Sequence, residues 1–451
     1  MNPYLPVIVA FLITRILSFT FFTVATEPQL ILAYATSVRD RSLAETYRST
    51  LTHPYAFTAA NEQPPEYPQL TALFAVPPLW LADAMPGLGR LVSLRPRAAE
   101  FTPVEAAYEA ALGLLILLVD AALLALVYLA ARRLYPDDSR WLRAARLGLY
   151  VAASAIFAPV WFDRLDMLMG LVATAAILAF ARGWPTVGYV VLIAGAGVKL
   201  VPLLLLPVWV LAASLSPGRG SFARRLGRES VVAGGILLGA VAILYLFGGG
   251  DRAFVFLQTH AGRGIECGST YAPLVFLADP TTRVVFNHGG FHLEGALADR
   301  LVPFTTPLLL LLLAACLAVI ARAMAKRSQQ GLPVTAILPQ AVLLLWLTFI
   351  LAVRIGSPQF VIWLIPVMPL LPLRDRAEWR WTAWFLVLCA LLTLIYPLAA
   401  GHVTGPRLAA DVWAGSTPFG LFLVTARSLI LAGLAVWLVR SCPGALRRPA
   451  E

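Results

Sequence analysis

Apolar runs of about twenty residues recur along the whole chain, and each closes on a short polar or basic connector. At about 1.5 Å of rise per residue, such runs match a hydrocarbon layer about 30 Å thick. They predict membrane-spanning helices, with clear spans near 3–25, 108–131, 146–162, 231–248, 303–322, 333–352, 359–373, 380–400 and 418–439. Two stretches break the pattern. "YPQLTALFAVPPLWLADAM" (67–85) is short and holds three prolines, so it reads as an interfacial or re-entrant helix. The apolar region 187–213 carries Lys199 near its middle, which predicts two short helices meeting there. Breaks of this kind are tolerated where they line a wet cavity. The expected fold is an all-α polytopic membrane protein of about 11–13 transmembrane helices.

Orientation follows from the connectors. "RRLYPDDSRWLRAAR" (132–146), "SPGRGSFARRLGRES" (216–230), "RAMAKR" (322–327), "RDRAEWR" (374–380) and the tail "RSCPGALRRPAE" are basic and belong inside. The lobes left for the outside are 26–107, the turn 161–166, the segment 249–302, the turn 353–358, and 401–417. The N-terminal run "YLPVIVAFLITRILSFTFFTVA" has no small-residue cleavage site and reads as a retained first span, with the N-terminus cytoplasmic.

Composition agrees. Of 451 residues 59% are hydrophobic and 13% charged, with mean hydropathy +0.78, against about 25% charged in a soluble protein. The net charge of +11 belongs to topology and gives no reason to expect nucleic acid as a partner. Cys267, Cys316, Cys389 and Cys442 form no disulfide framework. The five histidines (His53, His260, His288, His292, His402) are scattered, with no metal-ligand spacing. No internal repeat is visible. Residues 1–230 hold most polar insertions, and 231–451 read as a plainer bundle with an outer segment at 249–302.

This topology gathers the unusual polar residues at one membrane face. The first outer loop offers Asp40 and Glu45, then Glu66 and Tyr67. The turn "WFDRLD" offers Asp163, Arg164 and Asp166, and the broken helix offers Lys199. The outer segment supplies His260, Arg263 and Glu266, and the turn "AVRIGSPQF" supplies Arg354 and Gln359. Cations there suit a phosphate or pyrophosphate at the lipid–water boundary, and carboxylates suit deprotonation of a hydroxyl nucleophile. Each residue has a plainer reading. The Asp163–Asp166 charges fit a self-pairing solvated turn, Lys199 and Arg354 fit interface anchors, and His260 alone fits a structural role. Asp120 lies mid-span in "LLILLVDAALLALV" and is either functional or a helix-pairing group.

Five motifs in order resemble the GT-C superfamily of membrane glycosyltransferases. "EYPQLTAL" (66–73) looks like its Glu/Asp-Tyr-Pro-Pro-Leu motif, and "WFDRLDMLMGLV" like its outer turn before a returning helix. "GVKLVPLLLLP" looks like its Lys-x-x-Pro segment. "HAGRGIECGS" and "RIGSPQFVIWLIP" are similar to stretches of bacterial family 87, the polyprenol-phosphate-mannose-dependent α-mannosyltransferases. The resemblance covers about 35–375. It departs at Gln69, where the second proline would stand, and at Gly268, where a glutamate would precede Ser269.

That resemblance implies a catalytic module over 1–230 and a variable C-terminal bundle over 231–451. It implies transfer of a hexose, mannose by family, from a polyprenyl-phosphate donor to a lipid- or glycan-linked acceptor. The reaction would run at the outer face of a bacterial inner membrane, by inverting single displacement. Asp40 matches the general base best, with Glu45 as fallback. Lys199, His260, Arg263, Arg354 and Gln359 would hold the donor phosphate. Glu66, Tyr67, Asp163, Arg164, Asp166 and Glu266 would line the acceptor cavity. No cofactor or metal is required. Two other classes compete. One is a transporter or flippase using the Lys199 break and Asp120, and the other is a non-catalytic GT-C relative. Transporters collect polar groups at the midplane in symmetry-related pairs, whereas here they crowd one face of a lopsided chain.

Overall fold

The computed structural model describes residues 2–21, 27–49, 51–52, 62–63, 65–95, 101–162, 164–216, 220–287, 290–373, 375–399 and 418–444. These residues form an α-helical membrane protein. Six of its helices are long and apolar enough to cross a bilayer. Among them are α1 (Tyr4–Phe21), α5 (Pro103–Leu134), α11 (Phe222–Phe247) and α14 (Ala296–Gln329). Leu5, Leu12 and Ile16 of α1 remain exposed, as a lipid-facing surface requires.

The stretch between α1 and α5 carries α2 (Glu27–Asp40), α3 (Leu43–Arg48) and α4 (Gln69–Ala84). Thr102 and Glu105 form a reciprocal capping box that starts α5 at a defined residue. Asp120 of α5 is fully buried and is not a lone charge. Arg15 of α1 donates Nε to its Oδ2 at 2.6 Å, and the Tyr150 hydroxyl donates to its Oδ1. Arg15 also reaches Ser154, which with Tyr150 lies on α6 (Arg140–Ile156). Asp120 therefore ties three helices together, which is the helix-pairing alternative.

After α6 come α7 (Ala158–Trp161) and three short helices, α8 (Met167–Ala181), α9 (Pro185–Ala196) and α10 (Leu206–Leu215). Small residues bring them close. A Cβ at Gly188 would meet Trp209 at 3.0 Å, and one at Gly195 would press on Val172 at 2.6 Å. The chain breaks between α9 and α10 at 197–200, as the sequence predicts. The last carbonyls of a helix lack partners within it. Here the start of α4 supplies them, with Leu70 N–H donating to the Gly197 carbonyl at 2.9 Å and the Thr71 hydroxyl to Val198 at 3.0 Å. Helix α4 is thus docked on the break.

At the far end of the trio, Arg133 donates to the Ala181 carbonyl, Arg225 to Ser214 and Ser328 to Leu215. Arg133, Arg225 and Ser328, in or beside three of the basic connectors, therefore lie at the end opposite Lys199. The rest of the chain adds α12 (Val255–Ala261), α13 (Ala272–Ala278), the hairpin β1 (Arg283–Asn287) and β2 (Gly290–Glu294), α15 (Leu338–Ala352), α16 (Arg376–Ala399) and α17 (Pro418–Gly444). One predicted span differs. Residues 359–373 form 3-10 turns at Pro358–Trp363 and Met368–Leu370 in place of a continuous α-helix. Pro366, Pro369 and Pro372 lack the N–H groups an α-helix needs. The segment is packed in the core, so protein covers its irregular backbone.

Candidate functional site

The break in α9–α10 places Lys199 opposite the start of α8. Its ammonium sits 2.8 Å from both oxygens of Asp166, and the Trp363 indole donates to the same carboxylate at 2.6 Å. Asp166 is fully buried, whereas Lys199 keeps 13% of its side chain open. The ammonium also lies 5.4 Å from the centre of the Tyr67 ring, within cation–π reach.

Glu66 and Tyr67 are held in place from below. Both backbone N–H groups donate to the Tyr34 hydroxyl, at 2.7 and 3.1 Å, and the Tyr47 hydroxyl donates to the Tyr67 carbonyl at 2.7 Å. Two residues outside any helix or strand are thereby fixed. The Glu66 carboxylate pairs with Arg263, and both side chains remain slightly open, at 13% and 12%. His260 Nε2 lies 3.0 Å from the Glu66 carbonyl. Burial, with Arg263 beside it, lowers the His260 pKa to about 4. The ring is therefore neutral at pH 7 and donates Nε2–H to that carbonyl.

Arg354 closes the next shell. Its guanidinium donates to the Ala261 and His260 carbonyls, at 2.8 and 3.3 Å, and so caps the end of α12. Its own carbonyl accepts from Glu266 N–H at 2.9 Å. The Ser357 hydroxyl lies 3.4 Å from the Glu266 carboxylate. Burial raises the Glu266 pKa, opposed by Arg263, the Gly356 N–H and Arg427. The segments carrying Glu266 and Ser357 run close together at two glycines. A Cβ on Gly356 would collide with the Gly268 backbone, and one on Gly268 with the Gly356 carbonyl. The glycine at 268 is thus a packing requirement.

Glu66, Tyr67, Asp166, Lys199, His260, Arg263, Glu266 and Arg354 therefore join in one network. Asp40 and Glu45 do not. Asp40 is about half exposed at the end of α2 and pairs with Arg39, which also reaches Asp83. That guanidinium holds the Asp40 carboxyl below the usual carboxylate range. Glu45 pairs with Arg48 at 3.0 Å. Gln359 is buried in the turn, Arg164 is half-buried, and Asp163 and the lobe 401–417 lie outside the described residues. Among the described residues, no group of three His, Cys, Asp or Glu is placed to hold a metal ion.

Three contributors have no counterpart in the sequence reading. Tyr34 and Trp363 give no signal beyond being aromatic. Arg427 does give one, because it interrupts the apolar run "LFLVTARSLILAGLAV" of α17. A charge in such a run costs about 2.5–3.5 kcal/mol on insertion scales and marks a functional or pairing group. Arg427 is buried at 2% exposure, and its Nη1 donates to the Gly356 carbonyl at 2.9 Å.

The open cations Lys199 and Arg263 flank Tyr67 with carboxylates beside them. This arrangement can hold an anionic group and accept a proton near it. The chain matches no family model and no curated protein. Among solved structures it is similar to the crystal structure of ArnT from Cupriavidus metallidurans in the apo state. The identity is 13%, over 97% of this chain and 76% of that one, with a TM-score of 0.44. A likeness that distant has no bearing on activity. The helices and the segregation of charge establish a polytopic helical membrane protein.

Proposed function

We propose that this protein is an integral membrane glycosyltransferase of the GT-C kind. It takes a hexose, mannose in the first instance, from a polyprenyl-phosphate donor and passes it to a lipid- or glycan-linked acceptor at the outer face. One observation carries this reading. Segments scattered from Glu66 to Arg354 converge in a single cation–carboxylate network, at the end of the bundle opposite the basic connectors. Lys199 and Arg263 suit the donor phosphate. In the reaction, the acceptor oxygen attacks the anomeric carbon as the bond from that carbon to the phosphate oxygen breaks. The hydroxyl proton passes to a carboxylate, and polyprenyl phosphate leaves as the anion, stabilised by the cations. The transporter reading loses support at Asp120, which is fully buried and tied to Arg15 and Tyr150.

The resemblance gives the proton to Asp40, with Glu45 as fallback. A second assignment, to Glu266, is favoured by its place inside the network and by burial that strengthens it as a base. A panel of short-chain polyprenyl-phosphate sugars, scored by released polyprenyl phosphate, tests both. Loss of about 10²-fold or more in Asp40→Asn supports the first-loop base. Near-normal transfer by Asp40→Asn and Glu45→Gln, with loss in Glu266→Gln, moves the role to Glu266. No release from any donor overturns the glycosyltransferase reading.

A further inference from the structure

The C-terminal helix α17 reaches the network through a single side chain. Arg427 is nine-tenths or more buried, and one of its nitrogens holds the Gly356 carbonyl at 2.9 Å. Its Nε and Nη2 make no hydrogen bond among the described residues. It also stands 3.7 Å from where a Cβ of Gly268 would lie. It therefore sits behind the crossing of the two glycine segments. Glu266 is two residues before Gly268 in the first segment, and Ser357 follows Gly356 in the second. Besides the Glu266 N–H bond to the Arg354 carbonyl and the Ser357 hydroxyl near the Glu266 carboxylate, the crossing is held by Arg427 on the Gly356 carbonyl.

We propose that Arg427 is a positioning residue: by holding the Gly356 carbonyl it locks the two segments against each other and presents the Glu266 carboxylate to the network. The site would then depend on the half of the chain that looks least equipped for chemistry. The groups around Glu266 are Arg263 from its own segment, Ser357 and the Gly356 N–H from the turn, His292 from β2, and Arg427 from α17. Removing the Arg427 cation takes away one of the groups that favour the charged carboxylate, and so favours the protonated carboxyl.

The test uses the full-length protein in nanodiscs and rests on the proposed activity only for its second readout. Hydrogen exchange is followed in peptides covering 264–270 and 354–360. Arg427→Met is expected to speed exchange in both by about 10-fold, with α1 and α15 unchanged. The acid limb of kcat/KM for sugar transfer is expected to move up by about one pH unit. Arg427→Lys keeps the charge without the planar fork. It should fold where Met does not, return the limb to its wild-type position and leave exchange partly raised. Unchanged exchange in both peptides overturns the proposal; an acid limb that ignores the Met substitution overturns it where Glu266→Gln abolishes transfer and Asp40→Asn does not. Exchange needs no turnover, so an inactive wild type would count against the proposed function and leave this test intact.

Discussion

Two cation–carboxylate pairs, both largely buried, have opposite characters. Arg15–Asp120 sits between α1 and α5 with both side chains fully buried. Its surplus hydrogen-bonding capacity is taken up by Tyr150, Ser154 and the Phe11 ring 4.6 Å away. Glu66–Arg263 joins two irregular segments, and each partner keeps a little more than a tenth of its side chain open. The first pair is closed to any ligand. The second can exchange one partner for another. A buried charge in a membrane protein is therefore not in itself a functional signal, because the remaining open surface separates a tie from a site.

That contrast can be broken from either side. The largest effect belongs to the closed pair. Arg15→Met strands a buried carboxylate and is expected to lower unfolding free energy in detergent by about 3–5 kcal/mol, with most of the loss recovered in an Arg15→Met, Asp120→Leu double variant. A loss under about 1 kcal/mol would show that the pair is not a tie. The open pair should behave in reverse. Arg263→Gln is expected to cost less stability than Arg15→Met, because Glu66 keeps some access to solvent, while reducing transfer from a lipid-phosphate donor by about 10²-fold.

A smaller effect follows from pH. His260 is neutral in the fold, with its pKa lowered to about 4 against an ordinary 6.5. Between those values the unfolded chain binds a proton that the folded chain refuses. Stability is thus fully present above 6.5 and declines as pH falls towards about 4. Thermal midpoints measured across that window should fall, and His260→Gln should flatten part of the slope. Smallest of all is the exposed pair. Arg39→Ala should leave the thermal midpoint unchanged, because solvent already screens Arg39 and Asp40.

Much of this arrangement is legible in the sequence, for identifiable reasons. Apolar length gives the long helices, and basic connectors give their direction. Lys199 inside an apolar run, with Pro202 after it, forces the break between α9 and α10. Those rules place Glu66, Lys199, His260, Arg263 and Arg354 at one end without saying which touches which. Pairing is the part that periodicity does not encode. Asp166 meets Lys199 because Gly188 and Gly195 let the three short helices pack closely. Asp40 illustrates the converse. The sequence resemblance singles it out, and the fold pairs its half-exposed carboxylate with Arg39 outside the network. The 359–373 segment misleads because hydropathy counts its prolines as neutral to a span. Arg427 is missed because one charge hardly lowers the mean of an apolar window.

The three short helices bear on the membrane itself. Helix α9 has 12 residues and α10 has 10. At about 1.5 Å per residue they cover about 18 and 15 Å, well short of a hydrocarbon layer of about 30 Å. A bilayer meeting so short a segment thins locally. Under the proposed function, acyl-chain length would then set how far a lipid phosphate must sink to reach Lys199.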